Sequence, residues 1–336
     1  MKRLIGLVFL IVVTGCTRIP DCADETGCIA FTSNRYRGIP HIFIMRPDGS
    51  QMTRIAPGEQ PAWSPDGKRI AFAWTQDRNN HRYIYVMDTN GFDVVRLTAS
   101  TSKEFDPTWS PDGRYIAFTS YDDEVSSLCV ALSDRTSVQC FNFPDLYYIM
   151  SPAWSPDGSR IAIAANISRG GGEFDDDDIF VVGTECIGVS GECEPSITRL
   201  TDNEVNDLDP AWSPDGNRIA FSRASAPGWE AQADIWVMDA DGANAVKLTG
   251  SDTDDSYPDW SPDGKRIVYA MTKVIGENGR GGTTHFVVMD IDGSHATHLL
   301  AEGGLVWLRG DDTTLPIGSW DPDWWGVIPA EDDSGQ

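Results

Sequence analysis

Basic side chains are scarce in this sequence. Its 336 residues include 26 lysines and arginines against 51 aspartates and glutamates, which gives a net charge of −25. Proteins that bind nucleic acids need a basic surface to neutralise phosphates, and the long-range field of this chain repels them. Anionic lipid surfaces are disfavoured for the same reason. The charge balance therefore excludes nucleic acid as a partner and favours a basic one.

Sequence signatures of catalysis are absent as well. The chain has no Gly-x-Ser-x-Gly nucleophile elbow, no phosphate-cradling glycine loop and no His-Glu-x-x-His zinc motif. The five histidines show no metal-ligand spacing along the chain; they are His41, His81, His285, His295 and His298. We therefore expect a protein that is not an enzyme and that needs no cofactor.

The N-terminus lacks an apolar run long enough to span a membrane. Lys2 and Arg3 precede an apolar run over residues 4–13, and a membrane-spanning helix needs about 20 such residues. A basic start, a short apolar run and small residues before a cleavage point are typical of a secretory signal. We therefore expect the chain to be exported.

Residues 13–16 read Val-Thr-Gly-Cys, which resembles a bacterial lipobox. The resemblance implies a signal peptide over residues 1–15, a lipid on Cys16 and a tether over residues 16–27. Thr17 stands where an inner-membrane lipoprotein has Asp, so the resemblance implies an anchor in the outer membrane, facing the periplasm. An ordinary signal peptide with a chance cysteine is the alternative.

Six cysteines remain besides Cys16, and they fall into three sequence-local pairs: Cys22/Cys28, Cys129/Cys140 and Cys186/Cys193. Cys129 and Cys140 are equidistant from a predicted turn at residues 133–136, so a hairpin would place them opposite each other. Cys186 and Cys193 flank a glycine-containing loop. Local pairing indicates three disulfides and an oxidising compartment. Zinc is disfavoured because its four ligands would have to come from distant pairs.

One phrase, Pro-x-Trp-Ser-Pro-Asp-Gly, occurs five times. Its tryptophans are 46, 45, 58 and 48 residues apart, at Trp63, Trp109, Trp154, Trp212 and Trp260. An apolar segment follows each copy, and a sixth such segment begins at Ile29. Each repeat predicts four short strands, A to D, joined by turns in which Pro pre-sets φ and Gly accepts a positive φ. We expect the repeated Trp to pack between repeats and the repeated Asp to serve the turn.

A single four-stranded sheet of this kind cannot bury both of its faces. Stacking the sheets around an axis does so, which is the propeller solution. The first repeat lacks a strand A, and residues 322–324 near the C-terminus copy residues 258–260. We therefore predict an all-β, six-bladed β-propeller with four-stranded antiparallel blades over residues 28–328. The C-terminal strand closes the ring, and a tail follows over residues 329–336.

The phrase Trp-Ser-Pro-Asp-Gly, then Ile-Ala-Phe, then Val-Met-Asp-x-Asp-Gly resembles the TolB-type β-propeller repeat, which is related to WD40-like repeats. The resemblance covers roughly residues 28–328 and implies six blades, in agreement with the count. TolB carries an N-terminal α/β domain, whereas only residues 16–27 precede the first strand here. The resemblance therefore implies a cell-envelope propeller that binds proteins, without the part that engages TolB's transporter partners.

The loops of such a ring differ between its two faces. The A–B and C–D turns share one face and are short, whereas the B–C and D–A connections share the other. That loop-rich face carries insertions at 166–178, 224–233 and 272–284 and connections at 201–209, 250–257 and 301–321. Binding usually occurs at loops of irregular length on a rigid scaffold. We therefore place the binding surface there.

The residue before the proline of each strand A is predicted to rim the central channel; these residues are Gln60, Asp106, Ser151, Asp209, Tyr257 and Asp321. Asp106, Asp209 and Asp321 lie on alternate blades, so their carboxylates would suit a Ca²⁺ ion in the channel. The alternative is that each aspartate caps a turn or is solvated. The acidic run at residues 175–178, which follows three glycines, predicts a solvated loop.

The most favoured function is non-catalytic binding of a protein or peptide partner on the loop-rich face. Aromatic and arginine side chains in its loops are of the kind that anchor interfaces; they are Trp229, Trp307, Arg309 and Trp320, beside the rim residues Asp106, Asp209, Tyr257 and Asp321. The alternative is a hydrolase, a lyase or a carbohydrate-binding propeller that acts at an acidic, Ca²⁺-loaded channel mouth. A structural envelope protein is the third possibility.

Overall fold

The computed structural model describes residues 20, 22, 27–36, 39–75, 81–122, 125–167, 176–228, 231–250, 252–274, 282–299, 307–308 and 322–325. These residues form 25 β-strands in six antiparallel sheets, and the sheets are the blades of a six-bladed propeller. Among the same residues, no helix has both the length and the apolar character needed to cross a bilayer. The predicted fold class is confirmed.

Blades 1 to 3 contain the first eleven strands and the last one. Blade 1 is built from β25 (Asp323–Trp325), β1 (Cys28–Tyr36), β2 (Ile39–Met45) and β3 (Thr53–Pro57). Blade 2 is built from β4 (Glu59–Trp63), β5 (Arg69–Thr75), β6 (Arg82–Asp88) and β7 (Val95–Arg96). Blade 3 is built from β8 (Lys103–Trp109), β9 (Tyr115–Asp122), β10 (Val125–Leu132) and β11 (Val138–Phe141).

Blades 4 to 6 contain the remaining strands. Blade 4 is built from β12 (Leu146–Trp154), β13 (Arg160–Ile167), β14 (Asp177–Gly183) and β15 (Ile197–Arg199). Blade 5 is built from β16 (Asp207–Trp212), β17 (Arg218–Ala224), β18 (Ala233–Asp239) and β19 (Val246–Lys247). Blade 6 is built from β20 (Asp254–Trp260), β21 (Arg266–Val274), β22 (Gly282–Asp290) and β23 (Thr297–Leu299), and a fifth strand, β24 (Trp307–Leu308), pairs with β22.

The two ends of the ring meet in blade 1. Strand β25 pairs antiparallel with β1, so that Trp324 lies opposite Ile29 and Asp323 opposite Ala30. The C-terminal strand therefore supplies the strand A that the first repeat lacks, as the sequence predicts. This closure covers the inner edge of β1, which would otherwise be an unpaired strand edge.

The hydrophobic core lies between blades rather than within one layer. The buried residues of the described part form six clusters, and each cluster joins two adjacent blades. At the closing seam, Phe31 of blade 1 contacts Phe286 of blade 6, with ring centres 4.8 Å apart. The B strands are covered on both faces, which is why segments such as Ile70-Ala71-Phe72 are apolar at every position.

The repeated tryptophans pack between blades, as expected. Trp109 donates its indole N–H to the carbonyl oxygen of Ala62 in the preceding blade at 3.2 Å. The guanidinium of Arg69 lies 4.6 Å from the centre of the same Trp109 ring. Arg160 over Trp212 and Arg218 over Trp260 repeat this arrangement. Each such cation–π contact adds about 0.5–2 kcal/mol to an interface that apolar burial already favours.

The repeated aspartates serve their turns, also as expected. In the turn of blade 2, Ser64 donates to Asp66 at 2.6 Å, and the backbone N–H of Lys68 donates to the same carboxylate oxygen at 3.1 Å. Gly67 adopts a φ of 64°, which a residue with a side chain rarely accepts. Hydrogen bonds from Ser155 and Ser159 lower the pKa of the equivalent Asp157 to about 2.

All three predicted disulfides are present, between Cys22 and Cys28, Cys129 and Cys140, and Cys186 and Cys193. Cys129 and Cys140 lie directly opposite each other on β10 and β11, with Cα atoms 4.0 Å apart. The third bond closes a loop between β14 and β15 instead of bridging paired strand residues. Oxidised cysteines fit the expected oxidising compartment.

Replacing Phe31 by alanine tests whether the seam stabilises the ring. The side chain is 4% exposed, stacks on Phe43 and makes an edge-to-face contact with Phe286. We expect Phe31→Ala to lower the free energy of unfolding by about 3–5 kcal/mol, measured by denaturant titration. The control is Phe92→Ala, because Phe92 is 70% exposed, and its effect should stay within about 0.5 kcal/mol. Equal effects of the two substitutions would contradict the proposed role of the seam.

Candidate functional site

Five of the six predicted rim residues line one central cavity of about 240 Å³; they are Gln60, Asp106, Ser151, Asp209 and Tyr257. Pro322, next to the sixth predicted residue, lines the same cavity. Asp321 itself lies outside the described residues. The position before the repeated proline therefore faces the channel in every blade where the structure describes it.

A shared backbone distortion points these side chains inward. All five have a positive φ between 49° and 55°, and the pairing of strands A and B shifts register at each of them. Such a β-bulge re-aims a side chain that regular pleating would place elsewhere. A left-handed backbone at a residue other than glycine costs about 1–3 kcal/mol, so the surroundings must hold it in place.

A chain of hydrogen bonds around the channel supplies that support. It starts at Thr32 of blade 1, whose hydroxyl accepts the backbone N–H of Gln60 at 3.0 Å. The Gln60 amide donates to Asp106, and the other oxygen of Asp106 accepts the backbone N–H of Ser151 at 3.2 Å. The Ser151 hydroxyl then donates to Asp209 at 3.1 Å.

The same chain reaches blade 6 through Ser222. Its hydroxyl donates to the second oxygen of Asp209 at 3.1 Å and accepts the backbone N–H of Tyr257 at 3.2 Å. All six blades are thereby linked around the axis. Each carboxylate oxygen of Asp106 and Asp209 receives a donor from the protein itself.

Burial shifts the titration of both aspartates. Desolvation raises the pKa of Asp106 to about 6 and that of Asp209 to about 6, and the charge of Asp106 adds to the increase at Asp209. The described residues contain no group of three or more His, Cys, Asp or Glu that would hold a metal ion. The Ca²⁺ prediction for Asp106, Asp209 and Asp321 includes a residue outside the described part and stays a prediction.

The prediction of a solvated acidic loop at residues 175–178 is wrong for its last two residues. Asp177 and Asp178 begin β14, and Asp178 is 1% exposed. Arg199 on the neighbouring strand binds Asp178 at 2.5 Å, and this partner makes its burial possible. Burial and the charges of Asp178, Asp176 and Asp209 raise the pKa of Asp177 to about 7.

An exposed aromatic group on the loop-rich face was not predicted. Tyr147 and Tyr148, at the start of β12, are 44% and 56% exposed. The Tyr148 ring stacks on that of Tyr121, at the end of β9 in the preceding blade, with centres 6.3 Å apart and planes 18° apart. We call Tyr121, Tyr147 and Tyr148 the tyrosine surface.

An irregularity of strand A in blade 4 creates this surface. Strand β12 has 9 residues and two register shifts, whereas β8 and β20 have 7 residues and one shift each. Tyr148 has a φ of 49°; among the described residues other than glycine, every other positive φ belongs to a channel residue or to a C–D turn. The doubled aromatic Tyr147-Tyr148 is the only hint of this surface that the sequence contains.

Several predicted binding residues lie outside the described residues, namely Trp229, Arg309, Trp320 and Asp321, and so does the lipidation site Cys16. Trp307 lies in β24, where its backbone pairs with Thr283. The structure thus brings together Asp106, Asp209 and Tyr257 around the channel. The remaining binding residues stay predictions.

Replacing Asp209 by asparagine tests the cost of the buried charge. Its pKa in the folded protein is about 6, against an ordinary value of 3.8. Between these values the folded state binds more protons than the unfolded state, so this group destabilises the fold as the pH rises through the window. We expect Asp209→Asn to raise the free energy of unfolding by about 1–3 kcal/mol near pH 7.5 and to have little effect near pH 3, below both pKa values, measured by urea titration.

Asp157→Asn is the control of opposite sign. The pKa of Asp157 is lowered from its ordinary value of 3.8 to about 2 by its turn hydrogen bonds, so this charge stabilises the fold above pH 3.8 and loses that effect as the pH falls toward 2. Its removal should destabilise the protein at neutral pH. A stabilising effect of both substitutions would indicate a general relief of negative charge and would contradict the specific account of Asp209.

Comparisons with known proteins agree with this architecture. Residues 57–164 and 84–306 match the family described as TolB beta propeller domain. TolB from Acinetobacter baumannii is 23% identical, with a TM-score of 0.64 over 90% of this chain and 67% of that one. A putative TolB from Agrobacterium tumefaciens is 22% identical, with a TM-score of 0.59 over 81% of this chain and 87% of that one.

A protein named as an enzyme is similar in fold as well. An oligogalacturonate lyase in complex with manganese is 14% identical, with a TM-score of 0.52 over 82% of this chain and 74% of that one. No curated protein sequence matches the chain. Identities this low show the shared fold alone, whereas the family match spans most of the repeats. The chain belongs to the TolB beta propeller domain family.

Proposed function

We propose that this chain is a non-catalytic propeller of the bacterial cell envelope that binds a protein or peptide partner on its loop-rich face. A lipid on Cys16 anchors it to the outer membrane on the periplasmic side. The observation that carries the proposal is the tyrosine surface, whose Tyr147 and Tyr148 are exposed on the face predicted for binding.

The chemistry of the tyrosine surface supports protein recognition. Tyrosine offers a large apolar area with few rotatable bonds and a hydroxyl for hydrogen bonding, and it is enriched at interface hot spots. Tyr121 and Tyr148 already stack on each other, so a partner that contacts them loses little side-chain entropy. The left-handed backbone at Tyr148 also supports a functional role, because strain of this kind concentrates at ligand contacts.

The state of the channel carboxylates favours binding over catalysis. A catalytic carboxylate must reach a proton or a reacting atom of the substrate. Asp106 and Asp209 instead accept hydrogen bonds from Gln60, Ser151 and Ser222, and breaking these bonds would weaken the inner ring. Binding on the loop-rich face is therefore favoured over a hydrolase or lyase activity at the channel mouth.

The net charge of −25 determines which partner the surface favours. A basic partner would approach faster than a neutral one, and salt would slow the association because the long-range part of the interaction is screened. The aromatic contacts would be less sensitive to salt. The proposal therefore combines charge steering with an aromatic anchor.

Crosslinking in the native envelope, followed by purification and quantitative mass spectrometry, tests the proposal. We expect the double substitution Tyr147→Ser and Tyr148→Ser to reduce recovery of at least one envelope protein by about tenfold or more, the loss that corresponds to a hot spot of 1.4 kcal/mol or larger. The purified pair should show the same loss in Kd. Replacing residues 301–321 by a linker as long as the connection between β7 and β8 tests the same face independently and leaves the closing strand β25 in place.

The matched control is Phe92→Ser. Phe92 is 70% exposed and lies in the C–D turn of blade 2, on the opposite face of the disc. Its replacement should leave every partner bound. Equal recovery from wild type and the tyrosine variant, or a loss caused only by the Phe92 substitution, would show that the chosen face is wrong.

A further inference from the structure

Blades 2, 4, 5 and 6 bring the same two positions of strands C and D into contact. Asp178 and Arg199 form an ion pair at 2.5 Å in blade 4, and Asp234 and Lys247 form one at 2.6 Å in blade 5. In blade 2, Arg96 covers the ring of Tyr83, with 3.3 Å from its guanidinium carbon to the ring centre. The fold therefore holds side chains at these two positions close enough for direct bonding.

Blade 6 carries two histidines at these positions. His298 on β23 lies opposite Val287 on β22, and His285 lies two residues before Val287, so that both imidazoles are on one face of the sheet. Their ring centres are 6.1 Å apart and their planes are 85° apart. Where blades 4 and 5 pair an acid with a base, blade 6 brings together two groups that both coordinate transition metals.

A third potential ligand lies on the same face. Met271 on β21 is directly opposite His285, and directly opposite side chains have Cβ atoms about 4.5–5.5 Å apart. Met271 is partly buried against the core cluster between blades 5 and 6. The row Met271, His285, His298 thus combines one thioether with two imidazoles, a donor set that selects copper over harder ions.

We propose that His285, His298 and Met271 form a copper-binding site on blade 6, at its seam with blade 5. The site is independent of the tyrosine surface and of the proposed partner. Two imidazoles that share one metal at about 2.0–2.1 Å have ring centres roughly 5–6 Å apart, so the observed separation requires only a small side-chain rotation.

The exposure of the two histidines is compatible with metal binding. His298 is exposed and His285 is partly buried, which leaves an open side for the ion to enter.

Titration of the purified mature protein with Cu(I), Cu(II) and Zn(II), each against a competing chelator, tests the site. We expect one copper site, and His285→Ala and His298→Ala should each weaken it by at least about tenfold, since loss of a direct ligand exceeds the effect of an outer-shell change. With Cu(II) bound, electron paramagnetic resonance should show coupling to two imidazole nitrogens, and each variant should retain one.

Two further variants separate the possible outcomes. His81→Ala removes a histidine that lies beside Tyr83 in blade 2, and it should leave copper binding to blade 6 unchanged. Met271→Leu preserves the apolar packing and should weaken Cu(I) binding much more than Zn(II) binding. Wild-type copper affinity in both His285→Ala and His298→Ala would overturn the site, and unchanged Cu(I) affinity in Met271→Leu would overturn the choice of copper.

Discussion

Each blade is a thin sheet with two apolar faces, and only another blade can cover them. The six core clusters all lie between adjacent blades, so no blade has a core of its own. An open row of such sheets would leave two apolar faces in water, at about 25 cal/mol for each Å² exposed. The packing of blade 1 against blade 6 covers both faces at once, and the pairing of β25 with β1 fastens the two ends of the ring in that arrangement. Two contacts follow from this need to cover each blade with its neighbour. Phe31 packs against Phe286, and Arg69 stacks on Trp109, in both cases between residues of different blades.

Closure of the ring also limits which hydrogen bonds the side chains that line the channel can make. The inward turn of residues such as Asp106 depends on a left-handed bulge, and hydrogen bonds to the neighbouring blade hold that bulge in place. The ring thus uses its carboxylates as acceptors for its own donors, and it tolerates the raised pKa values that burial imposes. A carboxylate used in this way is poorly available to a ligand. The protein surface around the mouth is consequently a better place for recognition than the channel wall.

The sequence predicts the features that recur. Five copies of the tryptophan phrase imply the blades, the displaced sixth copy at residues 322–324 implies the closing strand, and the shared position before proline identifies the channel residues.

The sequence does not predict features that occur in one blade alone. Tyr148 is exposed because β12 contains an extra register shift, and no local pattern specifies where a ladder slips. The burial of Asp178 depends on Arg199, which lies 21 residues later in the chain, so only the folded sheet shows that the acidic run ends inside the protein. Strand β24 is too short to be recognised by periodicity.

These departures from the repeat are informative because the repeat itself accounts for stability. A residue that recurs in every blade is explained by the packing that every blade needs, and it says little about what this particular chain binds. A residue that breaks the pattern has no such explanation. Tyr148 adds a second left-handed residue to the strand A of blade 4, besides the channel residue that the other blades also have. The His285–His298 pair stands at the positions where blades 4 and 5 have ion pairs. The two departures lie on different blades and have different chemistry, one suited to a protein surface and the other to a metal ion. In a ring of near-identical units, each blade can therefore acquire a binding property of its own while its neighbours maintain the fold.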